Sequence, residues 1–77
     1  MTPFKKRSVS LSGHATSVAL EPEFWAVIDQ AVKDEQISFA GLINTIDLER
    51  VQSNPEQPLS SACRVWALNR VRTAKTD

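Results

Sequence analysis

The chain has 77 residues, with nine acidic side chains, nine lysines and arginines, and one cysteine. A domain of this size buries only about 60% of its unfolded surface, which favours oligomerisation or some other staple. One cysteine excludes an intramolecular disulfide and a cysteine-rich metal site, and no apolar run approaches the roughly 18 residues that span a bilayer. We therefore expect one soluble, cytoplasmic domain without metal or cofactor.

The charges are separated along the chain. Residues 1–20 carry a net charge of +3, residues 21–56 carry −6 and residues 57–77 carry +3. Because binding to phosphates depends on local patches of charge, a basic arm over residues 1–7 and a basic C-terminal segment are compatible with a nucleic-acid partner. The acidic middle would then face solvent. The plainer interpretation of the arm is a disordered, solubilising tail.

The strand region, residues 8–21, contains one clear strand at residues 16–20. It alternates the larger Val18 and Leu20 with the smaller Ser17 and Ala19, so one face can enter a core. The segment 8–12 alternates apolar residues with serines, and it is either an additional strand or an extension of the ribbon. A solitary strand is unstable, and the simplest remedy is the same strand of a second copy. The resulting two-stranded antiparallel ribbon fits the DNA major groove.

Three helices are predicted after the strand, over residues 22–35, 38–51 and 59–72. Pro22 suits the first position of the first helix, and Ser38 is a good N-cap for the second. Gly41 inside the second helix indicates close approach of another helix. The third helix has an apolar face, and it either packs on the dimer or presents a surface to a partner.

The run Thr16-Ser17-Val18-Ala19-Leu20-Glu21-Pro22-Glu23-Phe24-Trp25, followed by Ile37-Ser38, Leu42, Ile43 and Ile46, resembles the ribbon-helix-helix family of dimeric bacterial DNA-binding proteins. Lys6-Arg7-Ser8-Val9, Gly13-His14 and Leu59-Ser60-Ser61-Ala62 resemble one proteobacterial branch of it. The resemblance implies a mainly α fold with one β-strand, an intertwined homodimer with an intermolecular antiparallel ribbon, and an added third helix. It implies a transcriptional regulator, such as a repressor, that binds double-stranded DNA.

The outward face of the strand would meet the bases, since alternation places these residues opposite the core: Ala15, Ser17 and Ala19. Phosphate contacts are expected from the arm, from the residue before the strand and from the start of the second helix, where the resemblance implies a clamp: Lys5, Lys6, Arg7, His14, Ser38 and Phe39. The expected dimer core is Val18, Leu20, Phe24, Trp25, Ile28, Leu42, Ile43 and Ile46. The plainer interpretations are a ribbon without sequence readout and a simple helix cap.

Catalysis has little support in the sequence. Cys63 has no identifiable base, His14 has no companion at ligand spacing, and no phosphate-binding glycine loop or pair of catalytic carboxylates occurs. Two alternatives to a DNA-binding regulator remain. One is an antitoxin-like repressor that captures a partner protein through residues 58–77. The other is a dimeric interaction module without DNA readout, which the zero net charge favours.

Overall fold

The computed structural model describes residues 3–75, and it contains a β-hairpin followed by three helices. The elements are β1 (Lys5–Leu11), β2 (His14–Leu20), α1 (Pro22–Glu35), α2 (Phe39–Ser53) and α3 (Leu59–Lys75). Residues 1, 2, 76 and 77, which belong to the expected arm and partner-binding region, lie outside the described residues. The last two helices extend beyond their expected ends at residues 51 and 72.

The prediction of a single β-strand is wrong, because β1 pairs with β2 inside the same chain. The pairing is antiparallel and runs from Lys5 opposite Leu20 to Leu11 opposite His14. The connecting residues Ser12 and Gly13 have φ values of 51° and 83°. Two positive φ values define the primed hairpin turn that matches the twist of the strands. Residues 5–7 are therefore strand, not arm, and β2 does not need a second chain as its pairing partner.

The hairpin has one apolar face, which packs on the helices. Its buried side chains alternate along both strands: Val9, Leu11, Val18 and Leu20. Because successive strand residues point to opposite faces, the residues between them face away from the core. The two-stranded sheet is thus covered on one side only.

The core lies where the hairpin and all three helices meet. The helices contribute Trp25, Ile28, Ala31, Leu42, Ile43, Ile46, Ala62, Cys63 and Ala67. All but one of the residues expected in the dimer core are buried within this single chain, and Phe24 is partly buried against the others. The buried side chains of α3 are small, which allows this helix to approach the rest of the core closely. Burial raises the pKa of the Cys63 thiol to about 11. Cys63 is fully buried and packs in the core as a small apolar side chain.

The helix ends explain how the chain turns between α1 and α2. Pro22 opens α1 after the extended Glu21, and the left-handed Gln36, with φ of 55°, ends it. Ser38 then caps α2, its Oγ accepting a hydrogen bond from the Gly41 amide at 2.9 Å. A Cβ on Gly41 would lie 2.9 Å from that Oγ. The glycine therefore leaves room for the cap, and our expectation that it allows close helix packing was wrong.

Candidate nucleic-acid interface

The outer face of the hairpin contains no acidic group. Three residues of β1 lie opposite three residues of β2 on it: Lys6 opposite Ala19, Ser8 opposite Ser17, and Ser10 opposite Ala15. All are exposed except Ala19, which is half-buried. We call these six residues the ribbon face. Lys6 is its only large or charged side chain, so other molecules can approach the backbone of both strands closely.

The ribbon face contains all three residues expected to contact bases, Ala15, Ser17 and Ala19. Ser8 and Ser10 belong to the same surface, although we did not predict this from the sequence. The alternation of Val9 and Leu11 with serines indicates a strand with one apolar face. We had considered an additional strand there as one of two interpretations, the other being an extension of the ribbon. Serine hydroxyls both donate and accept hydrogen bonds, and a methyl group suits the C5-methyl of thymine.

A clamp behind the ribbon face fixes β1 to the helices. Both terminal nitrogens of Arg7 donate to the Asp29 carboxylate of α1, at 2.8 and 2.9 Å. The guanidinium lies 4.6 Å from the ring centre of Trp25 and 5.5 Å from that of Phe39. Trp25 Nε1 donates to the backbone carbonyl of Lys5 at 2.8 Å. Bidentate pairing and stacking on aromatic rings are geometries that favour arginine over lysine.

Each member of the Arg7–Asp29 pair stabilises the charged form of the other. The hydrogen bonds from Arg7 lower the pKa of Asp29, and partial burial offsets some of that effect. The hydrogen bond to Asp29 correspondingly raises the pKa of Arg7. The side chains are 37% and 47% exposed, so solvent weakens the interaction. The pair mainly fixes the position of β1 on α1, and its contribution to the free energy of unfolding is modest.

We expect this clamp to contribute to the acid stability of the fold. A carboxylate whose pKa is lowered by folding contributes stability above its unfolded pKa, and that contribution is lost as pH falls through the folded value. Asp29→Asn should therefore flatten the loss of stability below about pH 4, the ordinary range of an aspartate. Urea unfolding from pH 2.5 to 7 measures this. Glu23→Gln is the matched control on the same helix, because Glu23 is exposed and has no ion pair within the described residues. Equal curves for wild type and Asp29→Asn would contradict the expectation.

We had expected the acidic middle of the chain to face solvent, but several of its acids form ion pairs with α3. Arg64 Nε of α3 donates to Glu21 at 3.0 Å, and Arg70 lies 3.6 Å from Asp34 and 3.0 Å from Glu35. A backbone hydrogen bond lowers the pKa of Glu21, and the hydrogen bond from Arg64 lowers it further. Two of the basic residues of α3 are thus neutralised by α1 and by the residue before it.

The residues expected to contact phosphates are spread over both ends of the hairpin. Lys5 and Lys6 begin β1, and the next residue, Arg7, lies against Phe39 at the N-terminus of α2. His14 is exposed at the other end, beside the turn. Ser38 is exposed and Phe39 is partly buried against Trp25, at 5.8 Å between ring centres. Arg7 points to the clamp and not to the ribbon face.

The described part of the chain contains neither a cluster of metal-binding side chains nor a membrane-spanning helix. Over residues 3–75 no three histidine, cysteine, aspartate or glutamate side chains come together in a way that could hold a metal ion. None of the described helices combines the length and the apolar character needed to cross a membrane.

Comparison with known protein families decides the identity of the fold. A model of the ribbon-helix-helix domain matches residues 4–71, which include the hairpin and most of α3. The chain belongs to the ribbon-helix-helix family. The resemblance seen in the sequence is confirmed, and this family is in general one of DNA-binding transcriptional regulators. No curated protein and no solved structure matches the chain.

Proposed function

We propose that this ribbon-helix-helix protein is a sequence-specific transcriptional regulator that places its hairpin in the major groove of DNA. The observation that carries the proposal is the ribbon face. It has the width of two strands, which the major groove accepts, and it lacks both acids and bulky side chains. Its serines and alanines are available to base edges, whereas the opposite face is buried in the core.

Phosphate contacts on both sides of the ribbon would supply most of the affinity. Lys5, Lys6 and His14 are exposed on the hairpin, and the capped N-terminus of α2 adds backbone amides at Ser38 and Phe39. A helix N-terminus favours an anion because its first amides point outward and its dipole is positive there. Arg7 is left out of this set, because Asp29 already holds both of its terminal nitrogens.

A homodimer forms the second part of the proposal. The family typically forms dimers, and this chain exposes large apolar side chains on its last two helices. Leu48 and Val51 of α2 are 52% and 51% exposed, and Val65 and Leu68 of α3 are 47% and 52% exposed. Apolar surface of this kind marks an interaction site when it is contiguous. The intertwined, intermolecular ribbon stays a prediction. Its original reason, a solitary strand, no longer applies, because β2 pairs with β1 of the same chain.

The exposed apolar residues of α3 also favour the antitoxin-like alternative, in which a partner protein covers that helix. The zero net charge favours the interaction module. Selection of bound sequences from a random duplex pool tests the main proposal against both. Recovery of a consensus supports DNA readout, and recovery of random sequences at low salt contradicts sequence specificity. Absence of any duplex binding would favour the interaction module.

Lys6 should contribute one phosphate contact. Lys6→Ala is expected to reduce the slope of log affinity against log salt by about one, with similar weakening for specific and random duplexes. Titrations by fluorescence anisotropy at several salt concentrations measure this. Lys33→Ala, which removes an exposed lysine from α1, is the matched control and should leave the slope unchanged. An unaltered slope for Lys6→Ala would remove this residue from the interface.

A further inference from the structure

The two strands of the ribbon face are not equivalent, because they are different segments of one chain. The row on β1 carries one amine and two hydroxyls, whereas the row on β2 carries one hydroxyl between two methyl groups. In chain order the rows are Lys6, Ser8, Ser10 and Ala15, Ser17, Ala19. Among the three cross-strand pairs of the ribbon face, only the central one, Ser8 opposite Ser17, joins identical residues. The ribbon face therefore has no two-fold symmetry.

A two-fold rotation about the central pair shows where the two rows differ. It would exchange Lys6 with Ala15, and Ser10 with Ala19. An amine or a hydroxyl forms hydrogen bonds, whereas a methyl group suits an apolar contact such as the C5-methyl of thymine. Two bases related by a dyad in the DNA would thus meet unlike side chains at both ends of the ribbon face. A palindromic sequence cannot satisfy both rows equally well.

The pairing of the two unlike rows is fixed at both ends of the hairpin. At the closed end, residues 12–13 form the two-residue primed turn, which sets the register of the strands. At the open end, Arg7 donates to Asp29 at 2.8 and 2.9 Å, and Trp25 Nε1 donates to the carbonyl of Lys5 at 2.8 Å. These bonds hold β1 on α1 of its own chain. Both rows therefore stay side by side within one molecule.

We propose that one hairpin reads a non-palindromic block of base pairs in a single orientation. The inference rests on the proposed function and specifies the symmetry of the DNA that the ribbon face accepts. Lys6 and Ser10 are four residues apart, or about 13 Å along a strand. Because base pairs are stacked about 3.4 Å apart, the block is about four base pairs long. Two hairpins on one DNA site would read two such blocks, and any dyad would relate one block to the other.

A ribbon that combines equivalent strands from two copies leads to the opposite expectation. Its two rows would be identical, and the base pairs beneath it would form a palindrome, because the symmetry of a DNA site mirrors that of the protein. The symmetry of the bases beneath a single ribbon therefore distinguishes the hairpin of this structure from an intermolecular ribbon.

The symmetry of the consensus selected from a random duplex pool by the full chain is the first test. The consensus should contain a block of about four base pairs that is not self-complementary. Making this block palindromic should weaken wild-type binding about tenfold for each changed base pair. A self-complementary block would overturn the inference and leave readout by the ribbon face intact. A pool without any consensus would overturn the proposed sequence specificity as well.

The double variant Lys6→Ala/Ser10→Ala is the sharper test, because it makes both rows alanine, serine, alanine. Both positions are exposed, so circular dichroism should show the wild-type fold. Selection with this variant, at lower salt because it lacks one phosphate contact, should return a self-complementary block. The matched control, Lys6→Ala/Ser53→Ala, loses the same cation and an exposed hydroxyl of α2. It should keep an asymmetric block, because Ser10 still differs from Ala19. An identical asymmetric block from wild type and Lys6→Ala/Ser10→Ala would contradict the proposal.

An iron chelate attached to Ser12→Cys tests the orientation of the hairpin. Ser12 is an exposed turn residue outside the ribbon face, and the chelate cuts DNA near the turn when ascorbate is added. On a duplex with one block, the cuts should lie on one side of the block and shift to the other side when the block is reversed. Wild type treated with the same reagent is the control, because its Cys63 is fully buried. Equal cutting on both sides would show two orientations and overturn the inference.

Discussion

Val18→Asp should unfold the protein. Val18 is 3% exposed and faces the core from the middle of β2. An unpaired carboxylate there would cost several kcal/mol, either as buried charge or as the work of keeping it protonated. Small domains have only about 5–15 kcal/mol of stability in total. We expect little cooperative unfolding in a thermal melt followed by circular dichroism, and loss of any dimer together with the fold.

The neighbouring residue provides the control for this prediction. Ser17→Asp introduces the same charge one position earlier, where the side chain is exposed on the ribbon face. Its thermal midpoint should remain near that of wild type, because water solvates the carboxylate. Equal midpoints for Val18→Asp and wild type would mean that the two faces of the hairpin are assigned the wrong way round.

Ala19→Glu should separate DNA binding from stability. Ala19 lies on the ribbon face opposite Lys6, so the new carboxylate has a cross-strand cation within reach. Such pairs contribute about 0.2–1 kcal/mol, and we expect a thermal midpoint at or slightly above that of wild type. In the groove the same charge would meet the phosphates and neutralise Lys6, and affinity for duplex should fall about a hundredfold. Ser17→Ala should be milder, at about 1 kcal/mol if one hydrogen bond to a base is lost.

Gln52→Glu controls for the change in net charge, since it adds one negative charge at an exposed position of α2 away from the hairpin. It should leave duplex affinity within about twofold of wild type at physiological salt, because charges more than about 8 Å apart are largely screened there. Unfolding of Ala19→Glu would show that the register of β2 is inverted. Wild-type affinity in a folded Ala19→Glu protein would show that the ribbon face does not read DNA, and would favour the interaction module.

Local features of the sequence were sufficient to predict the three helices and the two faces of β2. Pro22 marks the start of α1, because proline is favoured at the first helical position. Ser38 marks the start of α2, because its side chain caps that helix. The alternation of Val18 and Leu20 with small residues depends only on the period of an extended chain. Each of these signals lies within a few residues of the structure that it predicts.

The first strand had no comparably clear local signal. It begins with three cations that are equally typical of a disordered arm, and only Val9 and Leu11 mark its buried face. Its existence depends on the primed turn at Ser12 and Gly13, and a serine with positive φ is uncommon enough to be missed. Whether this strand pairs within the chain or between chains is therefore not decided by its own residues.

Tertiary contacts decided that question. Arg7 meets Asp29 at a separation of 22 residues, and Lys5 accepts a hydrogen bond from Trp25 at a separation of 20. Sequence patterns do not reveal which of several acids and aromatic residues a basic residue will contact. The sequence by itself thus determined that the protein would be small and would combine a β-ribbon with three helices. Packing of β1 against α1 determined that both strands of the ribbon belong to one chain, because the ion pair and the indole hydrogen bond exist only after the hairpin docks.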